Sequence, residues 1–169
     1  SGGLVGSEMC IRDRQMETIG TEWSGDGTVS GLGGSVTLTS QVYEEGLHIS
    51  GLPTLHLDVS TQACNGGQIF ATLYDDTINL RLGHATMDIR YRDGGYDANP
   101  VAPFSSYTML MEFNPLDVIV PSGHSLRIEL TETGEDYLPG PCATNVLGGL
   151  SIEGGTCLLY TSPSPRDLL

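Results

Sequence analysis

The chain contains no lysine, and its seven basic residues are all arginine, set against 21 acidic residues for a formal net charge of −14. A nucleic-acid surface needs a basic patch to displace counterions from phosphate, and so sparse a set of cations does not make one. Adsorption to an anionic membrane surface is disfavoured for the same reason. Long apolar runs are missing too: none approaches the ~20 residues a helix needs to cross a bilayer. No window sustains the i, i+3, i+4 repeat of an amphipathic helix over three turns. There is a single tryptophan, Trp23, and no internal repeat.

The two ends differ in kind from the rest. Met9 to Arg14 reads MCIRDR and Cys157 to Ser162 reads CLLYTS. Back-translation of the first gives DNA whose reverse complement, in the right frame, encodes the second. Two ends encoded by opposite strands of one DNA sequence resemble a translated sequencing adapter. Residues 1–14 and 157–169 are therefore set aside from fold reasoning, as an expression scar would be. The alternative is an unusual N-terminal arm and a Ser/Pro tail. On the adapter reading, residues 15–156 form one β-sandwich domain, expected to be a fragment of a longer polypeptide. The ends hold Arg12, Arg14 and Arg166 against Glu8, Asp13 and Asp167, so the remainder keeps the whole negative charge with four arginines, Arg81, Arg90, Arg92 and Arg127. Such acidity favours solubility and suits a saline environment; it says nothing of fold.

Two cysteines remain, Cys64 and Cys142, each among loop-forming residues. They either form one bridge or stay as two thiols. Neither has C-x-x-C spacing, so a zinc or redox site finds no support.

What the chain has in abundance is alternation. Ser35 to Ser40, Leu47 to Gly51, Thr54 to Ser60, Gln68 to Asp75, Leu80 to Arg92 and Tyr107 to Phe113 each place apolar residues at every second position. Gly66-Gly67, Asp93-Gly94-Gly95, Pro100 and Pro103 separate them. The stretch from Asn114 to Leu130, NPLDVIVPSGHSLRIEL, joins a run stopped by Pro121 to a run in which Leu126, Ile128 and Leu130 alternate with Arg127 and Glu129. Ser122-Gly123 supplies the turn. Val146 to Ile152 is expected to form a last strand, after an acidic, Pro-rich crossing at 135–145. About eight short strands at 8–12-residue spacing indicate an all-β fold, a β-sandwich or jelly roll.

Taken in order, ISGLPTLHLDV (Ile49 to Val59), FATLYD (Phe70 to Asp75), RLGHATMDIRYR (Arg81 to Arg92) and MEFNPLDVIVPSGHSLR (Met111 to Arg127) resemble the C-terminal non-catalytic domain of the X-Pro dipeptidyl-peptidase and cocaine-esterase (CocE/NonD) hydrolases. The resemblance implies a galactose-binding-like jelly roll whose partner is an α/β-hydrolase catalytic domain earlier in the same polypeptide. It implies a serine hydrolase, a dipeptidyl-peptidase or esterase, whose catalytic residues lie outside this chain. No catalytic residue and no cofactor is assigned here. The expected role is to pack on the catalytic domain and shape substrate access; the alternative is a carbohydrate-binding module on a similar sandwich.

Several residues are candidate sites. Gly123-His124-Ser125-Leu126-Arg127 is one residue short of the G-x-S-x-G nucleophile elbow, but Arg127 replaces the small fifth residue and strand-like alternation follows Ser125 where a helix is required. His48, His56, His84 and His124 lack the local spacing of a metal site. Asp75-Asp76 and Glu135-Asp136 offer oxygen ligands of the kind Ca²⁺ takes, though solvated loop charges explain them as well. Tyr74, Tyr91, Tyr107 and Tyr137 are either a sugar-stacking platform or ordinary strand residues. Arg90 and Arg92 are expected on one side of a strand beside Asp88, available to a carboxylate on a partner domain or to cross-strand pairing. Gly123 is expected to permit the corner, His124 to hydrogen-bond across it, and Arg127 to project toward an acidic partner. With Asp75, these are the candidate interdomain or structural residues.

Overall fold

A computed structural model describes residues 15–19, 23–25, 27–29, 33–64, 66–132, 134, 142 and 148–162. Its strands are β1 (Gln15–Ile19), β2 (Trp23–Gly25), β3 (Thr28–Val29), β4 (Val36–Tyr43), β5 (Leu47–Gly51), β6 (Thr54–Thr61), β7 (Gln68–Asp75), β8 (Leu80–Asp88), β9 (Ser106–Glu112), β10 (Leu116–Val120), β11 (His124–Thr131) and β12 (Leu150–Ser162). A seven-stranded antiparallel sheet runs β10-β5-β12-β6-β9, with β1 and β3 also on β12. It faces a five-stranded sheet ordered β2-β4-β11-β7-β8. The all-β jelly-roll sandwich expected from the sequence is the architecture observed, with two antiparallel sheets face to face.

Period-two alternation puts Leu55, Leu57 and Val59 of β6, Ile69, Ala71 and Leu73 of β7, and Leu126, Ile128 and Leu130 of β11 in one buried core. Each Leu, Ile or Val among them contributes roughly 1.5–3 kcal/mol by leaving water. The proline breaks match across the seven-stranded sheet. Pro53 interrupts the β5–β6 line opposite the Pro115 break between β9 and β10, so both lines bend together. Phe113 N donates to Pro53 O there at 2.9 Å. The two sheets are tied at one edge, where His84 N donates to Asn114 Oδ1 at 2.8 Å and Asn114 N to His84 O at 3.1 Å.

Three features differ from the sequence reading. The strand expected to run to Arg92 stops at Asp88, whose carboxylate accepts from Arg90 N at 2.9 Å and caps a 3-10 turn at Ile89–Tyr91. Arg90 and Arg92 therefore do not share a strand face. A short Asp side chain competing for backbone N–H groups is the cause. The outer face of β7 is also covered: Phe70 and Thr72 are each only 5 % exposed. The His84 ring stacks on Phe70 with centroids 5.7 Å apart, and Gly134 approaches so closely that an added Cβ would meet a ring carbon at 2.4 Å. The last strand comes later and is longer than the stretch 146–152, beginning at Leu150 and continuing to Ser162. It crosses the boundary drawn at residue 156, with Cys157, Leu159 and Thr161 buried in alternation and paired to β1. Of the two states the sequence leaves open for Cys64 and Cys142, the structure has the disulfide, with Cα atoms 6.1 Å apart. Residues 1–14 and 163–169 lie outside the described residues.

Candidate functional site

Three turns meet at one end of the sandwich: β4–β5, the β7–β8 hairpin and the β10–β11 corner. The corner needs Gly123, which sits at φ +81°, in the left-handed region where a Cβ is strained. Its N–H donates to Tyr43 O at 2.9 Å, and Gly46 N donates to the same carbonyl at 3.1 Å. The next residue, His124, faces Asp75 on the neighbouring strand, with Nδ1 and Oδ2 2.7 Å apart. Asp75 is 2 % exposed, and its Oδ1 accepts from Thr77 N at 3.1 Å, which shapes the hairpin turn. Both carboxylate oxygens are thus satisfied, as a buried carboxylate requires.

Arg127 lies two residues further along β11 than Ser125, past a register irregularity. Its guanidinium is held by Asp76 Oδ1 and by Asn79 Oδ1 (2.8 Å), and it lies 4.5 Å over the Tyr74 ring. The acidic residue it meets is therefore in its own domain. Ser125 pairs with Val42 of β4, and its backbone is tied to the β7–β8 turn, with its N–H donating to Thr77 Oγ1 at 3.1 Å and its carbonyl accepting from Asp76 N at 2.9 Å. Strand β11 continues from it for six further residues to Thr131. The strand-turn-helix geometry of a nucleophile elbow does not form there.

Asp75, Gly123, His124 and Arg127 thus converge on one cluster. Arg90 and Arg92 do not join it; they lie beyond the far end of β8. Arg90 is forked onto Asp88, with contacts of 2.9 and 2.6 Å, and this pairing holds its guanidinium above the usual arginine range. Arg92 lies 4.4 Å over the Tyr107 ring and donates to Ile89 O and Pro100 O. Three of the four candidate tyrosines, Tyr74, Tyr107 and, with Arg90 at 5.9 Å, Tyr91, thus lie under guanidinium groups, which is not an open stacking platform. Tyr137 and the Glu135-Asp136 pair lie outside the described residues.

The four histidines stay apart: His48 pairs with Asp117 at 2.6 Å, His84 stacks on Phe70, His124 meets Asp75, and His56 is exposed on β6. Among the described residues no group of three or more His, Cys, Asp or Glu side chains is placed to hold a metal ion. Two shallow depressions on the seven-stranded sheet, of about 380 and 310 Å³, share Asp58.

Sequence reasoning passed over Glu132. It is 1 % exposed, and neither carboxylate oxygen finds a hydrogen-bond partner among the described residues. Burial pushes its pKa up from the usual carboxylate value. A raised folded-state pKa stabilises the fold below the unfolded value, and the gain is lost as pH rises through the folded one. Glu132→Gln is therefore expected to melt higher than the parent chain at pH 7, by about 1 kcal/mol. The difference should vanish near pH 4, as a pair of thermal melts would show. The Cys157 thiol is likewise buried and pushed up to about 12, leaving it inert as a nucleophile at neutral pH.

Among solved structures, the chain is similar to a CocE/NonD family hydrolase from Staphylococcus aureus (10 % identity, TM-score 0.58, covering 90 % of this chain and 35 % of that one). It is similar to an aminopeptidase from a marine sediment Thaumarchaeota archaeon (12 %, TM-score 0.62, 76 % of this chain and 26 % of that one). It is also similar to an α-amino acid ester hydrolase (16 %, TM-score 0.54, 78 % and 24 %). At such identities the likeness shows the fold alone. The chain spans about a third or less of the length of these proteins. No curated protein matches it. The model of the X-Pro dipeptidyl-peptidase C-terminal non-catalytic domain matches residues 20–144, most of the chain. The chain therefore belongs to the family of X-Pro dipeptidyl-peptidase C-terminal non-catalytic domains.

Proposed function

We propose that this chain is the accessory sandwich of an α/β-hydrolase-type serine hydrolase, an X-Pro dipeptidyl-peptidase or ester hydrolase, and that it packs on the catalytic domain and shapes the substrate entrance. The observation carrying this reading is the family match over residues 20–144, in a domain described as non-catalytic. The strand geometry at Ser125 supports it, since the most tempting nucleophile has no elbow around it. The parent would use acyl-enzyme chemistry with an oxyanion hole, in residues supplied by its other domain.

The test begins with a long read of the source DNA beyond both ends, followed by expression of the parent. An upstream α/β-hydrolase domain with a true G-x-S-x-G elbow is expected. Deleting the sandwich from that parent should raise KM for ester or dipeptidyl substrates more than it lowers kcat. The chain alone should hydrolyse neither. Turnover by the chain alone, abolished by Ser125→Ala, would overturn the reading. The same read tests our proposal that residues 1–14 and 157–169 translate adapter: native codons continuing through both segments would refute it.

A further inference from the structure

The connection from the 3-10 turn to β9, residues 92–105, presents two aromatic rings to solvent. Tyr96 is fully exposed and Phe104 is 75 % exposed. Phe104 also has φ +52°, a left-handed conformation that crowds the Cβ of a bulky residue. A ring in solvent gains little packing to offset that strain, and such a residue persists only where its surroundings over-determine it.

Here they do. Phe104 N donates to Gln62 O at 3.2 Å, and Thr61 N to Ser105 O at 2.9 Å. The Thr61 hydroxyl, on a residue only 2 % exposed, donates to Ala102 O at 2.7 Å and accepts from Ser105 N at 3.0 Å. Ala102 N donates to the Tyr107 hydroxyl at 2.8 Å. On the other flank Arg92 is spread over the Tyr107 ring and bonded to Pro100 O, while Asn99 N donates to Arg90 O at 2.7 Å. Arg90 and Arg92, candidates for reaching a partner, instead brace the loop that holds the aromatic rings outward.

We propose that this loop, anchored by Phe104 and Tyr96, is the surface on which the catalytic domain of the parent hydrolase docks. The inference rests on the accessory reading above. The backbone that carries Phe104 is ordered before docking, so less of its freedom remains to be lost on binding, and exposed aromatic rings are the commonest interface anchors. A second copy of the chain is a poor occupant, since it would bring one net charge of −14 against another. The hydrolases that share the fold carry most of their length outside the matched domain, so a partner in the same polypeptide has the necessary bulk. Covalent linkage holds that partner at an effective concentration of order mM, and a small pre-ordered patch then suffices.

Amide hydrogen exchange on the full-length parent, compared with this chain alone, tests the proposal. Amides within 94–104 are expected to exchange at least tenfold more slowly in the parent, as roughly expected for burial of a hot spot. The double variant Phe104→Gly/Tyr96→Ser should abolish that protection. In the isolated chain Phe104→Gly should leave the melting temperature within about 2 °C, since relief of strain and the freer unfolded backbone oppose each other. Protection appearing instead at the β7–β8 turn, around Ile78 and Leu80, would overturn this surface and leave the accessory reading intact. Protection on no face would overturn both. A dimer of the isolated chain in sedimentation, dispersed by Phe104→Gly, would assign the surface to a second copy and overturn the proposal.

Discussion

The double variant Cys64→Ser/Cys142→Ser is expected to lose about 4 kcal/mol of stability and to melt about 12 °C lower than the parent chain. The bridge spans a sequence separation of 78 residues, tying the β6–β7 turn to the stretch before β12. Closing so long a loop removes much of the freedom of the unfolded chain, and the chain-entropy account scales that loss with the logarithm of loop length. The native side adds to it. Cys142 is 5 % exposed, and Gly66 passes close to its Sγ, where an added Cβ would sit at 3.4 Å. Either single variant should cost nearly as much as the double, because each opens the same loop. Thermal melts of the parent chain in excess reductant should fall on the curve of the double variant. Identical melting of oxidised parent and double variant would show that the bridge contributes nothing to the fold in solution.

Asp75→Ala is expected to cost about 3 kcal/mol, the scale for removing one partner of a buried, hydrogen-bonded pair. The substitution strips His124 of its partner and removes the acceptor for Thr77 N. Both turns that meet at this end of the sandwich are affected. A double-mutant cycle with His124→Ala separates the two losses, with a coupling of about 1–3 kcal/mol expected between residues in direct contact. Arg127→Ala is the comparison, because its contacts lie at the partly exposed surface. It should cost about 1 kcal/mol, from the Tyr74 stack and a partly solvated ion pair. Chemical denaturation of the three variants reads all of these values. A cost below about 1 kcal/mol for Asp75→Ala would mean the pair behaves as an exposed one.

Much of the fold was legible because strand side chains alternate by local geometry. Gln68–Asp75 is a strand over the residues its pattern marked, and the Pro121-Ser122-Gly123 corner stands where the turn residues put it. The site was legible in part. Gly123, His124 and Arg127 lie together in a recognisable stretch, whereas Asp75, 49 residues from His124, was marked only as a carboxylate at a strand end. Nothing in the local pattern separates Glu132, buried without a described partner, from an exposed loop acid. The Arg90/Arg92 pair was misplaced for a related reason: the pattern through Tyr91 is as regular as that through Met87, but the Asp88 side chain takes the backbone N–H that the strand would have used.

By itself the sequence determined the all-β class, the positions of most strands and turns, and the ordered motifs that mark the family. Those properties reside in neighbours one to four residues apart, where alternation, Pro and Gly act directly on the backbone. Only the tertiary structure decided that Cys64 meets Cys142, that Asp75 serves His124, that Arg92 roofs Tyr107, and that Phe104 is held outward in a left-handed conformation. Each joins residues from different strands or loops, so it depends on sheet order and register. Many sheet orders satisfy the same alternation, and packing the two faces together selects one.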